Sequence, residues 1–234
     1  MAFFEQHSTK ISKPTNPKEI FSIDSDNDSC FDEISSITSA SNDEHELERT
    51  WSCFFNYTSG KTSADLHKIA DVSSIEAFWR LVNFIKLPSQ ISHKSKPNIY
   101  FFKQDIEPRW EDVSNVGGGC WTLIIPKAKR EHVNQLWLEM LIALISEKCL
   151  KELSDSINGV LVQRRQKEDR ICLWTKNFKN ANLQQGIGRW MKRTLKLAEK
   201  DTLTGTSFEE IEVISDAKNK SFLSRNVKND TYVV

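Results

Sequence analysis

Apolar residues recur at helical spacing in some stretches of this chain and cluster in short runs in others. Ile75, Phe78, Trp79, Val82 and Ile85 follow the three-or-four-residue step of a helix. Ser73 followed by Glu76 predicts the start of that helix through a capping box, and Pro88 bounds it. From Arg130 a second helix is predicted, with Val133, Leu136, Trp137, Met140, Leu141, Leu144 and Ile145 forming a stripe wide enough to face a core. Leu138 and Ile142 fall off that stripe. A third helix is expected between Ala181 and Leu197. Short apolar runs predict strands at WSCFF (51–55), Leu66–Ile69, NIYFFK (98–103) and CWTLIIP (120–126). GVLVQRRQKEDRICLW (159–174) reads as a hairpin about the charged turn QKED, and a last strand is expected at Ile211–Ile214. Strands predominate over three helices, and neither βαβ alternation nor an internal repeat occurs. The expected class is α+β with an antiparallel sheet.

Residues 1–44 follow neither pattern. They are rich in Ser, Asp, Asn and Glu, and such a segment buries too little apolar surface to offset its ordering entropy. The expectation is a disordered tail, with one domain over 45–234. Charge adds a constraint: 32 Lys+Arg balance 32 Asp+Glu, so anion binding must come from a local cluster. Five cysteines, at 30, 53, 120, 149 and 172, form no CxxC pair and read as reduced thiols. No apolar run reaches the roughly 18 residues of a spanning helix, and no signal pattern opens the chain. These features point to a protein of the cytoplasm or nucleus with no membrane association.

Two constellations carry candidate chemistry. In IEPRWEDVSNVGGGCW (106–121), Trp110 stands in a loop beside Glu111. An indole can stack on a purine face, and a neighbouring carboxylate can accept the paired N–H donors of a guanine edge. An N7-methylated base is cationic, which adds a cation–π contribution of roughly 0.5–2 kcal/mol. The bland alternative is an exposed acid beside a packed tryptophan. The second constellation is Arg164, Arg165, Lys167 and Arg170 across the hairpin; alternation predicts Arg165 and Lys167 on one strand face, where both suit phosphate oxygens. The alternative there is a solvated turn partly neutralised by Glu168 and Asp169. Lys218 and Lys220 could join the same positive region. Gly117–Gly119 lack a following Gly-Lys-Ser/Thr and lead into a strand, so they serve a tight backbone turn and not a phosphate loop. Nucleophile elbow, metal cluster and paired catalytic carboxylates are all missing, so no enzyme, cofactor or metal is expected.

Taken together, IEPRWED…GG.CW, SSIEAFW, LWLEMLIALISE and GVLVQRRQKEDRICLWT resemble the eukaryotic translation initiation factor 4E family, from His45 to the closing YVV. The resemblance implies a curved antiparallel sheet with three helices on its convex back and the 7-methylguanosine cap of mRNA in its concave face. It implies Trp110 as a stacking plate, Glu111 on the guanine edge, Arg165 and Lys167 on the cap phosphates, and Trp174 against the methyl group. Trp51 is assigned to the cap site and Lys220 to a late-loop phosphate contact, whereas Trp121 and Trp137 match core positions. The second stacking aromatic of typical members aligns here with Thr62 or Ser63. Tyr57 is a candidate substitute.

The same resemblance implies a peptide site on the back, formed by His45, Leu47, Ile75, Trp79, Leu138, Glu139 and Ile142. A helical peptide of a scaffold of the factor 4G type, or of a repressor, would lay its apolar face there. Leu138 and Ile142, being off the core stripe, support that site independently. The expected protein is a monomeric, non-enzymatic cap-binding translation factor. The alternative is a peptide-binding regulatory module of the same fold with weak or lost cap binding.

Overall fold

The computed structural model describes residues 44–57, 66–146, 151–208 and 231–234. Among these residues eight strands form one sheet: β1 (Glu46–Tyr57), β2 (His67–Ser74), β3 (Pro97–Lys103), β4 (Gly119–Pro126), β5 (Ile157–Arg164), β6 (Glu168–Thr175), β7 (Leu203–Ser207) and β8 (Thr231–Val233). Their order across the curved sheet is β2-β1-β3-β5-β6-β4-β7-β8, with every pairing antiparallel. Four α-helices are described: α1 (Ile75–Phe84), α2 (Val133–Ile145), the short α3 (Lys151–Ser156) and α4 (Ala181–Thr194). None of the described helices is long and apolar enough to cross a membrane.

Successive side chains of a strand point to opposite faces, and here both faces are apolar. On one face Cys53, Phe55, Phe101, Val160, Val162 and Leu173 join the main core, against Phe78 of α1, Met140 of α2 and Ile187 of α4. The other face carries a smaller buried cluster of Phe54, Tyr100, Phe102, Cys120, Leu161 and Cys172. None of the helices α1, α2 and α4 contributes to that second cluster, which marks the open face of the sheet.

Several boundaries differ from those expected. Ser74, not Ser73, caps α1: its side chain accepts from the Ala77 backbone N–H at 3.0 Å. The reason is β-pairing, because Ser74 pairs with Glu46 and β2 runs up to the helix start. Glu76 accordingly closes no capping box; its carboxylate accepts from the His45 backbone N–H at 2.9 Å. A 3-10 helix (Lys127–His132) precedes α2, so the helix proper starts at Val133. α3 and β7 were not anticipated; LTGTS, with threonines on the open face, offers no apolar alternation to read. The expected strand at 211–214 and the tail of residues 1–43 lie outside the described residues.

Candidate functional site

In the sheet β5 and β6 lie between β3 and β4, so the segment 104–118 must cross their ends. Ile106 anchors this segment in the open-face cluster. Asp112 folds it locally: one carboxylate oxygen accepts from Glu107 N at 3.0 Å and the other from Ser114 N at 2.8 Å. Asn115, fully buried, donates to the carbonyls of Glu107 at 2.9 Å and Arg109 at 2.8 Å. Asn158 of β5 donates to Ser114 O at 2.6 Å and Asn115 Oδ1 at 2.9 Å, fastening the loop to the sheet. Gly117 takes φ +69°, a left-handed conformation unfavourable for other residues, and a Cβ on Gly118 would lie 2.3 Å from Thr175 O. The glycines thus serve the turn expected of them and also let the backbone pass close to β6. On this pinned loop Trp110 is 51% exposed and Glu111 is exposed beside it. Neither Asn115 nor Asn158 stood out in the sequence, because an asparagine in a loop or at a strand start carries no pattern that records its distant partners.

Trp174 lies partly buried on the open face. Phe102 meets it edge-on at 5.3 Å, and Phe208 lies against it at 4.4 Å. Phe208 N also donates to Gly118 O at 3.0 Å, joining the end of β7 to the Trp110 loop. Along β6 the same face continues with Cys172 and Arg170. At about 3.3 Å per residue, Arg170 stands about 13 Å from Trp174 and the β5–β6 turn about 20 Å away. Cys120 and Cys172 flank Thr122 Oγ1, each sulfur at 3.7 Å. Burial pushes the Cys120 thiol up to about 12 and raises that of Cys172, so both are neutral and poor nucleophiles or ligands.

The cations of the hairpin sit differently from the expectation. β5 ends at Arg164 and β6 begins at Glu168, so Arg165, Gln166 and Lys167 are the turn itself. Strand alternation therefore does not place Arg165 and Lys167, and Glu168 and Asp169 belong to β6. Arg165 folds back on β3: Nη1 donates to Pro97 O at 3.1 Å and Nη2 to Asn98 Oδ1 at 2.6 Å. Asn98 in turn donates to Asn56 at 2.7 Å, and Tyr100 OH to the same Asn56 oxygen at 3.3 Å. Burial lowers the Arg165 pKa, with the Tyr100 phenol opposing. The guanidinium stays charged regardless. Lys167 is exposed. Arg170, on the open face nearer Trp174, makes a short fork to Glu168, with Nε and Nη2 donating to one oxygen at 2.7 and 2.5 Å.

Two β1 aromatics are corrected. Trp51, assigned to the open-face site, is 2% exposed and stacked on Phe101 at 5.2 Å with 7° between the planes, on the helix-covered side. Its parity along β1 matches Cys53 and Phe55, so the pleat directs it away from the open face. Tyr57 shares that parity and packs edge-on against Phe55 at 4.8 Å, so it is no substitute plate. Trp121 and Trp137 are core residues as expected, 0% and 4% exposed. Thr62, Ser63, Lys218 and Lys220 lie outside the described residues.

On the helical back, Ile75 and Trp79 stand one helical turn apart and are each 42% exposed. His45 is tied to this helix: its carbonyl accepts from Ile75 N at 2.9 Å, and its Nδ1 lies 2.7 Å from Glu76 Oε1. The His45 hydrogen bonds hold the Glu76 carboxyl below its usual range. Leu47 of β1 and Leu138 and Ile142 of α2 are half-buried at the edge of the main core, and α2 lies against β1. Glu139 accepts from Gln135 at 3.0 Å. Exposed or half-buried apolar residues of α1, β1 and α2 thus lie around the edge of the main core on the helical side of the sheet.

The profile of the eukaryotic initiation factor 4E family matches residues 46–226. Translation initiation factor 4E-1 of Arabidopsis thaliana is 36% identical, over 79% of this chain and 73% of that protein. The structure of Ascaris suum eIF4E-3 in complex with an m2,2,7G cap superposes with a TM-score of 0.70 at 27% identity, over 82% of this chain and 98% of that one. A schistosome eIF4E complexed with m7GpppA and 4E-BP gives a TM-score of 0.68 at 28% identity, over 82% of this chain and 100% of that one.

Proposed function

The chain belongs to the eukaryotic initiation factor 4E family, and from that premise we propose how its two faces work: the open sheet face binds the 7-methylguanosine cap of mRNA, and the helical back binds a scaffold or repressor peptide. One observation carries the reading. Trp110 and Glu111 are exposed on a loop fastened by Asn115 and Asn158 and anchored through Ile106 in the cluster against which Trp174 packs. In this reading the Trp110 indole stacks on the cationic base, and Glu111 accepts from the guanine edge. Trp174 borders the N7-methyl group. The phosphates run along β6 toward Arg170, Arg165 and Lys167. Arg170 joins the phosphate set on geometry, and Trp51 leaves the site. The protein does not catalyse; it couples message to ribosome recruitment, or blocks that coupling, as a monomer in the cytoplasm. Ile75, Trp79, Leu138 and Ile142, with Leu47, supply the apolar bed for a helical peptide, and Glu139 and His45 supply polar contacts at its margin.

The test is retention of the protein on immobilised 7-methyl-GTP. Free 7-methyl-GTP should elute it and GTP should not; elution by both equally sinks the cap reading. A second reading is favoured by the placement of Trp51 and Tyr57 on the helix-covered side, which removes these two β1 aromatics as partners for Trp110, while Phe54 is buried within the open-face cluster. Single-sided stacking forgoes about 1–3 kcal/mol, since each base–aromatic stack is worth about that much. A peptide-binding module with weak cap affinity would show no retention while still binding a helical scaffold peptide.

A further inference from the structure

The turn that carries Arg165 and Lys167 is held from beneath by a buried ionic cluster. Asp169 is fully buried, with Arg130 Nε at 2.9 Å from one carboxylate oxygen and Arg164 Nε at 3.2 Å from the other. Asp169 also accepts from the Arg165 backbone N–H at 3.2 Å. Arg130 Nη2 reaches past the carboxylate to donate to the Arg165 carbonyl at 2.6 Å, with the Gln166 carbonyl at 3.5 Å. The backbone of the turn is therefore set by side chains of the cluster, on top of the β5–β6 ladder. Arg130 comes from the 3-10 helix (Lys127–His132) ahead of α2, so a residue of the helical layer shapes a turn at the edge of the sheet.

We propose that Arg130 is a positioning residue for cap phosphate, acting through Asp169 and the turn carbonyls to fix where Arg165 and Lys167 present their charge. The inference rests on the cap-binding reading above. The cluster is a poor stabilising device by itself. Removing charges from water costs several kcal/mol per ion, and apolar residues often replace such groups without loss. Here the pairing is also imperfect: Arg130 Nε, Asp169 Oδ2 and Arg164 Nε lie buried at ion-pair distances without aligned hydrogen bonds, and Arg164 Nη1 is buried with no hydrogen-bond partner among the described residues. What the arrangement does supply is direction. A planar guanidinium can address a carboxylate and a carbonyl at fixed angles, whereas a lysine ammonium is a point charge on a flexible stem. Two guanidinium groups against one carboxylate also leave excess positive charge beneath the turn, which favours an anion above it.

The experiment titrates the full chain with 7-methyl-GTP and with the nucleoside 7-methylguanosine, which has no phosphate to position. Arg130→Lys keeps the charge on Asp169 and loses the fork. It is expected to weaken 7-methyl-GTP about tenfold, the scale of one charge-assisted hydrogen bond, with the nucleoside within about twofold of the unsubstituted chain. In a Lys167→Ala background the Arg130→Lys effect should shrink, because both substitutions act on one contact. Arg130→Gln is the second variant, read in the same way if the first does not fold. Equal weakening of nucleotide and nucleoside, or full additivity with Lys167→Ala, overturns the inference while leaving the cap reading standing. Failure of the unsubstituted chain to bind 7-methyl-GTP overturns both.

Discussion

In the proposed cap site the Glu111 carboxylate and the adjacent Trp110 indole have different roles on one base, and substitutions should separate them. Glu111→Gln keeps the size of the side chain and replaces one acceptor oxygen with a donor, so it should erode preference for 7-methyl-GTP over 7-methyl-ATP. The salt dependence of binding should be unchanged, because the role proposed for Glu111 involves no phosphate. Lys167→Ala should do the reverse, lowering the slope of log affinity against log salt by about one phosphate contact and sparing base selectivity. Titrations at several salt concentrations read both; the same change from both variants would contradict the assignment. The thiols form a separate case. Burial pushes Cys53 and Cys120 up to about 12 from an ordinary 9.0. A raised folded-state pKa favours the protonated form in the fold, so this contribution to stability is complete below pH 9 and is lost as pH rises from 9 to 12. Denaturation midpoints should fall over that range, and a thiol reagent at pH 8 should label these positions only after unfolding. Trp110 and Glu111 were legible in the sequence because their chemistry is dense and adjacent. Asn115 was not, since its importance arises only from the carbonyls that the folded loop brings to it.

At the scale of elements, the loop 104–118 and helix α1 each make a separable prediction. Asn115→Ala leaves the Glu107 and Arg109 carbonyls without their buried donor, a cost of about 1–3 kcal/mol. Cap affinity should fall with little change in the slope against salt, because in the proposed site the loop carries the base plate and not the phosphate cations. Trp79→Ala addresses the other face. Exposed tryptophans at interfaces often contribute about 2 kcal/mol or more, so binding of a helical scaffold peptide should weaken at least thirtyfold while 7-methyl-GTP affinity is kept. Calorimetry with each ligand distinguishes these outcomes, and loss of both activities would mean the variant had unfolded. The helices α1 and α2 were readable because burying one face imposes a period that survives in sequence. Their exact starts were not. Pairing of β1 with β2 moved the cap from Ser73 to Ser74, and a 3-10 turn delayed α2 to Val133. The strand β7 left no trace, because its threonines and glycine satisfy a sheet without any apolar rhythm.

For the whole molecule, the proposed function has one sheet serve two partners on opposite sides, with the main core between them. Residues 1–44 were read as a tail apart from the domain. A chain starting at residue 44 should accordingly melt within about 3 °C of the full chain and bind 7-methyl-GTP equally well, as read by thermal denaturation and titration; a larger fall would make the segment part of the domain. What the sequence determined unaided was the class of fold, the three expected helices, the hairpin at 159–174 and the loop position of the adjacent Trp110 and Glu111. Each of those rests on local periodicity or on neighbouring residues, which a linear chain records directly. Only the tertiary structure decided which face each β1 aromatic joins, sending Trp51 and Tyr57 to the helices. It also placed Arg165 and Lys167 in a turn held by Arg130, 35 residues distant along the chain from Arg165, and laid the Trp110 loop on Asn158. Such relations depend on register and on contacts between distant segments, and pairing across a sheet is written in the sum of all its strands and not in any one of them.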